Sequence, residues 1–196
     1  MIKGIIFDAD GMLIISKRFS EHLSENYGIT IEDTADFFRG DFQDCIIGKK
    51  DLKQELQRFI SQWKWQGTLD EFLHEWFSPE RNVMDERFFA VFEDLRKRGI
   101  KIYLGTNNEK YRTEALVRDN NWEKYFDGIF ASGLVGFLKP NRDFFDYIVE
   151  KTGFVPEELM FWDDDIENIE GARSAGLHVG HYVSFDLFMK ELEQVL

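Results

Sequence analysis

A parallel α/β sheet, interrupted after its first strand by a helical insertion, is the fold class that this 196-residue sequence predicts. Three observations carry that reading. Residues 3–7, "KGIIF", are a short apolar run of the kind a buried strand needs. Residues 16–84 show helical spacing and no convincing strand. From residue 85 onward, strands and helices alternate over short connections, which implies a parallel sheet covered on both faces.

In the insertion, segments near 17–27, 30–39, 49–63 and 68–77 space their apolar residues helically, and Gly28, Gly40, Gly48 and Gly67 fall between them at turns. "TLDE" at Thr68–Glu71 has the form of a capping box, whose side chains satisfy the first free amides of a helix. Beyond the insertion, "DERFFAVFEDLRKRG" (85–99) places Phe88, Phe92 and Leu95 on one helix face and stops at Gly99. "IKIYLGT" (100–106) reads as a strand, 108–119 as a helix and "GIFAS" (128–132) as a short strand. "NRDFFDYIVEKTG" (141–153) is a helix with Asn141 at its N-cap. The strand "LMFWDD" (159–164), the helix "IENIEGARSAG" (166–176), the strand "LHVGHYV" (177–183) and a helix over 185–195 complete the chain. The expected organisation is an α/β core of residues 1–15 and 85–196, with residues 16–84 as a helical lid. There is no internal repeat and no low-complexity stretch.

Composition bounds the partners. Hydrophobic residues make up 43% of the chain and charged residues 31%, the balance of a soluble globular protein, and 20 phenylalanines imply an aromatic core. A formal net charge of -13 repels nucleic acid and anionic membrane, although a local basic pocket can still hold a small phosphate. The single cysteine, Cys45, excludes an internal disulfide and a cysteine zinc cluster. With no apolar leader and no apolar run approaching ~20 residues, the expectation is a cytoplasmic protein, monomeric or homodimeric.

Ligands of an open parallel sheet bind outside the carboxyl ends of its strands. The first strand ends in Asp8 and Asp10, the second in Thr106, Asn107 and Asn108; Lys139 follows the third, and the fourth ends in Asp163, Asp164 and Asp165. Clustered carboxylates repel one another unless a cation joins them, and hard oxygen ligands suit Mg²⁺. Thr106 and the amides after it can hold phosphate oxygens, and Lys139 can neutralise charge on both nucleophile and phosphate. Asp8 could then attack phosphorus. Asp10 could protonate the leaving oxygen and later activate water.

Four motifs in order, "FDADG" (7–11), "YLGTN" (103–107), "KP" (139–140) and "FWDDDIENIEGARSAG" (161–176), resemble those of the haloacid dehalogenase superfamily. The insertion resembles the helical cap of the branch that carries it after motif one, and the chain is similar to small sugar-phosphate phosphatases of that branch. The resemblance implies Asp8 as nucleophile and Mg²⁺ ligand, and Asp10 as general acid/base with its carbonyl on the metal. It implies Thr106 and the Asn107 amide as phosphate binders, Lys139 as the motif-three lysine, Asp164 as a metal ligand, Asp163 as a ligand directly or through water, and Asn168 as the residue orienting that loop. The substrate implied is a small phosphorylated metabolite. Met12, Arg142 and Asp165 depart from the usual pattern; Asp165 is expected to face water.

The same residues admit competing readings. A phospho-accepting receiver has its acceptor on a later strand and no helical insertion of this length. A dehalogenase needs no proton donor such as Asp10. A phosphomutase differs mainly in what accepts the phosphoryl group, and a non-catalytic phospholigand-binding protein would not keep every catalytic position filled. Arg39, Lys49 and Lys50 could touch substrate, but such residues are more often solvated. Trp63, Trp65 and Trp76 read as core of the insertion, one of which could line a pocket. His22, His74, His178 and His181 show no ligand spacing.

Overall fold

The computed structural model describes residues 1–196. Five strands form one parallel sheet in the order β3-β2-β1-β4-β5. They are β1 (Gly4–Phe7), β2 (Lys101–Thr106), β3 (Gly128–Ala131), β4 (Leu159–Asp163) and β5 (His178–His181). In register, Phe7 lies between Leu104 and Trp162, so β1 is central. The chain steps outward from β1 to β3, then crosses to β4. That reversal places the expected crevice at the carboxyl end of β1.

Side-chain alternation along β1 divides the core. Ile5 and Phe7 pack with Phe88, Phe92, Trp122, Trp162 and Phe188, while Ile6 packs with Phe144, Phe145, Ile148, Phe161 and Ile169 on the other face. Burial on both faces explains why the strands read as continuous apolar runs. Each fully buried phenylalanine contributes about 1.5–3 kcal/mol of transfer free energy.

The insertion supplies α1 (Phe19–Tyr27), α2 (Ile31–Arg39), α3 (Asp41–Cys45), α4 (Leu52–Phe59) and α5 (Leu69–Phe77). The core supplies α6 (Arg87–Lys97), α7 (Lys110–Asp119), α8 (Ser132–Val135), α9 (Arg142–Thr152), α10 (Ile166–Ser174) and α11 (Phe185–Val195). The inserted helices have their own aromatic core, in which Phe19 stacks on Trp76 at 4.9 Å and Phe72 packs edge-on to Phe19 at 5.2 Å. Thr68 and Glu71 make the capping box at α5, the Thr68 amide donating to Glu71 Oε2 at 2.6 Å and the Glu71 amide to Thr68 Oγ1 at 3.2 Å. Both connections leave the core side by side. Ile14 bridges Met84, the Asp85 amide donates to Leu13 O at 2.9 Å, and Arg81 Nη2 donates to Lys17 O at 3.1 Å.

The local differences from expectation have short-range causes. α3 and α8 are too brief to show a period in sequence. Asn141 stands at the α9 N-cap without a side-chain hydrogen bond. β5 is shorter than its apolar run, because it pairs with β4 over four residues only. Trp65 is only partly buried, its Nε1 donating to Thr68 O at 3.1 Å. No helix is long and apolar enough to cross a membrane.

Candidate active site

The Asp8 amide donates to Trp162 O at 2.9 Å, which continues the β1–β4 ladder one residue past the strand and fixes the direction of its side chain. Asp8 is 5% exposed, Asp163 0% and Lys139 4%. Lys139 Nζ donates to Asp8 Oδ1 and to Asp163 Oδ2, each at 2.6 Å. The lysine is held by its backbone as well. Its amide donates to Asn107 Oδ1 at 2.9 Å, and Asn107 Nδ2 donates back to Lys139 O at 2.9 Å. Asn168 Nδ2 donates to both Asp163 oxygens, at 3.2 and 3.1 Å, and the Asp165 amide donates to Asp163 Oδ1 at 2.8 Å. Gly171 lets α10 close on this loop, since a Cβ there would lie 2.3 Å from Pro140 O.

Asp8, Asp163 and Asp164 each offer a carboxylate oxygen, all within 4.8 Å of one another. Gly11 makes room for this approach: its φ is +91°, and a Cβ on it would lie 2.1 Å from Asp164 Oδ2. Burial pushes the Asp8 carboxyl up to about 8 against the opposing charge of Lys139, and Asp163 adds to the rise. Burial also raises Asp164, helped by Asp163. For Lys139, burial opposes its charge but Asp8 and Asp163 outweigh that effect and hold it above the usual lysine value. All three shifts have one meaning. Three carboxylates gather at one buried ammonium that bonds only two of them, and the pocket favours added positive charge. A hard dication with oxygen ligands fits that donor set.

Asp10, two residues on, has a different setting. Arg112 Nη2 donates to Asp10 Oδ1 and Nη1 to Oδ2, both at 2.6 Å, a bidentate pair. Asn108 Nδ2 donates to Asp10 Oδ2 at 3.0 Å and to Thr106 Oγ1 at 2.6 Å, which ties the second acid to the end of β2. Arg112 also donates to Asn108 Oδ1 and, at 2.9 Å, to Asn82 Oδ1 on the return connection. In the protein alone the Asp10 carboxyl lies below the usual range: burial raises it, but the charge of Arg112 and hydrogen bonds from Arg112 and Asn108 outweigh that. Sequence reasoning missed Arg112 and Asn82. One signal was available, since Arg112 follows Asn108 by four residues and shares its face at the start of a helix.

The sequence profile of the haloacid dehalogenase-like hydrolases matches residues 2–176. The chain belongs to that family. It is 30% identical over 113 residues to the sesquiterpene phosphatase astK of Aspergillus oryzae, a stretch that is 57% of each protein, so it spans little more than half of that relative. It is 25% identical over 201 residues to a D-ribitol-5-phosphate phosphatase of Bacteroides thetaiotaomicron, covering 97% of this chain and 93% of that one. Among solved structures, a HAD family enzyme of Bacteroides thetaiotaomicron, bt-2542, in complex with magnesium and inorganic phosphate, superposes with a TM-score of 0.80 at 20% identity, over 96% of this chain and 100% of that chain. That likeness is one of fold.

The remaining candidates divide by their surroundings. Asp165 is exposed and caps α10, accepting from the Glu167 amide at 2.8 Å. Met12 is fully buried, and Arg142 pairs with Asp146 on the surface of α9. Lys50 is bound by Asp41 and Asp44, and Lys49 is exposed. Arg39 and Trp76 line a cavity of about 710 Å³ that Asp10, Asn107, Asn108 and Arg112 line as well. His22 pairs with Glu75 at 2.5 Å, and His181 Nε2 meets Asp164 O at 3.0 Å. Burial pushes the Cys45 thiol up to about 12, so it stays protonated and unreactive.

Proposed function

We propose that this hydrolase is a Mg²⁺-dependent phosphatase of a small phosphomonoester, working through an aspartyl-phosphate on Asp8. The observation that carries the reading is the pairing of Lys139 with Asp8 at 2.6 Å inside a buried site that favours more positive charge, with Asp10 two residues away in a separate polar network. The names of the two phosphatase relatives support the substrate class.

An Asp8 oxygen bonds to phosphorus while the ester P–O bond breaks. Lys139 keeps Asp8 oriented, and Thr106 Oγ with the Asn107 amide receives phosphoryl oxygens. The leaving oxygen takes a proton from Asp10. A phosphoryl group beside Asp10 competes with it for positive charge and draws its carboxyl up from its resting low value, so that Asp10 takes up from solvent the proton it then passes on. In the second step Asp10 removes a proton from water as the water attacks phosphorus, and Asp8 and inorganic phosphate separate. Asp8, Asp164 and the Asp10 carbonyl would hold Mg²⁺, with Asp163 directly or through water; when bound, the ion neutralises charge that gathers on the phosphoryl group. Asp163 also holds Lys139 in place. Residues 16–84 act as the cap that keeps bulk water from the intermediate.

Release of inorganic phosphate from a panel of sugar phosphates, nucleotides and p-nitrophenyl phosphate tests the reading. Release is expected with Mg²⁺, lost with EDTA and restored by excess Mg²⁺. Phosphoryl transfer to a second substrate without net phosphate release would make it a mutase. Full activity in chelator would remove the metal from the account.

A further inference from the structure

The cavity between the insertion and the strand ends has a charge opposite to that of the protein. In a chain of net charge -13, its lining carries five cations, Lys17, Arg18, Arg39, Arg81 and Arg112, and a single acid, Asp10. Two of the cations are already neutralised: Arg112 by Asp10, and Lys17 by Glu25 at 2.7 Å. Arg18, Arg39 and Arg81 have no carboxylate partner. Seven of the eleven arginines of the chain form ion pairs, so acids are readily at hand elsewhere, and three of the four unpaired ones share this cavity.

The three come from separate segments. Arg18 immediately precedes α1, Arg39 ends α2, and Arg81 lies on the return connection. Arg81 is packed over the Phe19 ring at 5.5 Å, and its Nε is enclosed with no hydrogen-bond partner. An enclosed guanidinium N–H without an acceptor is costly unless a ligand supplies one. Phe19, Phe38 and Trp76 give the same cavity apolar walls.

We infer that the substrate carries a second anionic group, a carboxylate or a second phosphate, on an apolar body, and that Arg18, Arg39 and Arg81 receive this group while the scissile phosphate lies at Asp8. The placement of the scissile phosphate at Asp8 rests on the phosphatase reading; the anion subsite does not. A neutral polyol phosphate would leave three guanidiniums unmatched. A substrate with two anionic ends matches one to Lys139 and the strand ends and the other to the insertion. Specificity then comes from charge placed where the ester bond is not broken, which acts chiefly on KM.

Three substrates of one chain length test it: 1,4-butanediol monophosphate, 4-(phosphonooxy)butanoate and 1,4-butanediol bisphosphate, with p-nitrophenyl phosphate as a measure of phosphatase activity itself. The two-anion substrates are expected to have kcat/KM about tenfold or more above the monophosphate, mostly through KM, on the scale of one charge-assisted contact. The carboxylate and the bisphosphate arms tell the two anions apart. Arg39→Gln is expected to bring the ratio down by at least about threefold. Arg39 is exposed and makes no hydrogen bond, so this variant is expected to fold; Arg81→Gln is the companion at the enclosed position. Hydrolysis of all three at equal kcat/KM overturns the inference and leaves the phosphatase reading standing. If nothing is hydrolysed, that reading falls, and calorimetric binding of butane-1,4-bisphosphonate against butylphosphonate decides the subsite. Tighter binding of the bisphosphonate by about tenfold, well beyond the factor of about two from its second equivalent end, and weakened in Arg39→Gln, supports it. Equal affinity overturns it.

Discussion

The two walls of the cavity are built on opposite principles. At the strand ends, Asp8, Asp10, Lys139 and Asp163 already have partners: Lys139 bridges Asp8 and Asp163, Asn168 and the Asp165 amide hold Asp163, and Arg112 holds Asp10 by two bonds. On the insertion, Arg18 and Arg39 project exposed and unpaired. The first wall is ordered by the sheet before any ligand arrives, as electrostatic preorganisation requires. The second leaves charge free, to be matched by whatever enters. The first turn of α7 joins them. Lys110 Nζ and the Tyr111 hydroxyl donate to Asp51 Oδ2 of the insertion at 2.8 and 2.6 Å, while the next residue, Arg112, donates to Asp10.

That contrast implies that a change at the sheet rim damages chemistry and a change at the insertion damages selection or docking. Asp8→Asn is the strongest test. It keeps the shape, removes the nucleophile, and is expected to reduce phosphate release to background. Measurable multiple turnover in that variant would show that the rim does not supply the nucleophile. Next comes Asp10→Asn, expected to lower kcat for an alkyl phosphate at least ~10²-fold, the lower scale of general acid–base catalysis. With an aryl ester, whose leaving group needs no proton, the first step suffers less. Phosphorylated Asp8 should then accumulate and be visible by rapid-quench mass spectrometry. Wild-type hydrolysis of the alkyl ester would end the division of labour between the two acids.

Arg112→Gln probes the joint between the walls. Loss of the guanidinium frees Asp10 to wander, and kcat should fall about tenfold while folding is retained, with Arg112→Lys recovering only part because it cannot bind both oxygens. Steady-state kinetics giving an unchanged kcat would make the pair structural. The smallest effect is expected at the latch that Lys110 and Tyr111 form with Asp51. Burial raises Asp51, but hydrogen bonds from Lys110 and Tyr111 outweigh it and bring the carboxyl down to about 2. A carboxylate lowered in the folded state contributes stability that is fully present above its unfolded pKa of about 4 and lost as pH falls through about 2. Asp51→Asn should therefore cost about 1–2 kcal/mol in urea unfolding at pH 7 and almost nothing near pH 2. An equal cost at both pH values would show that charge has no part in the latch.

Much of this was legible in the chain. The apolar run before Asp8, the alternation after residue 85, and the Thr68–Glu71 box depend on neighbours within a few residues, and local pattern records such neighbours faithfully. The gathering of Asp8, Lys139 and Asp163 also followed, because parallel strands deliver their carboxyl ends to one rim whatever the packing details. α3 and α8 escaped because one turn shows no period.

What the tertiary structure decided concerns charge pairing across long separations. Nothing near Asp10 in sequence announces a guanidinium 102 residues away, yet that contact reverses the direction of its pKa shift. Nothing near Arg39 or Arg81 says that no carboxylate will reach them, in a chain with 37 acids. Residue type and local period specify which groups are present and which element carries them. Whether a charge is satisfied depends on distance and dielectric, and those exist only once the insertion and the sheet have closed on each other.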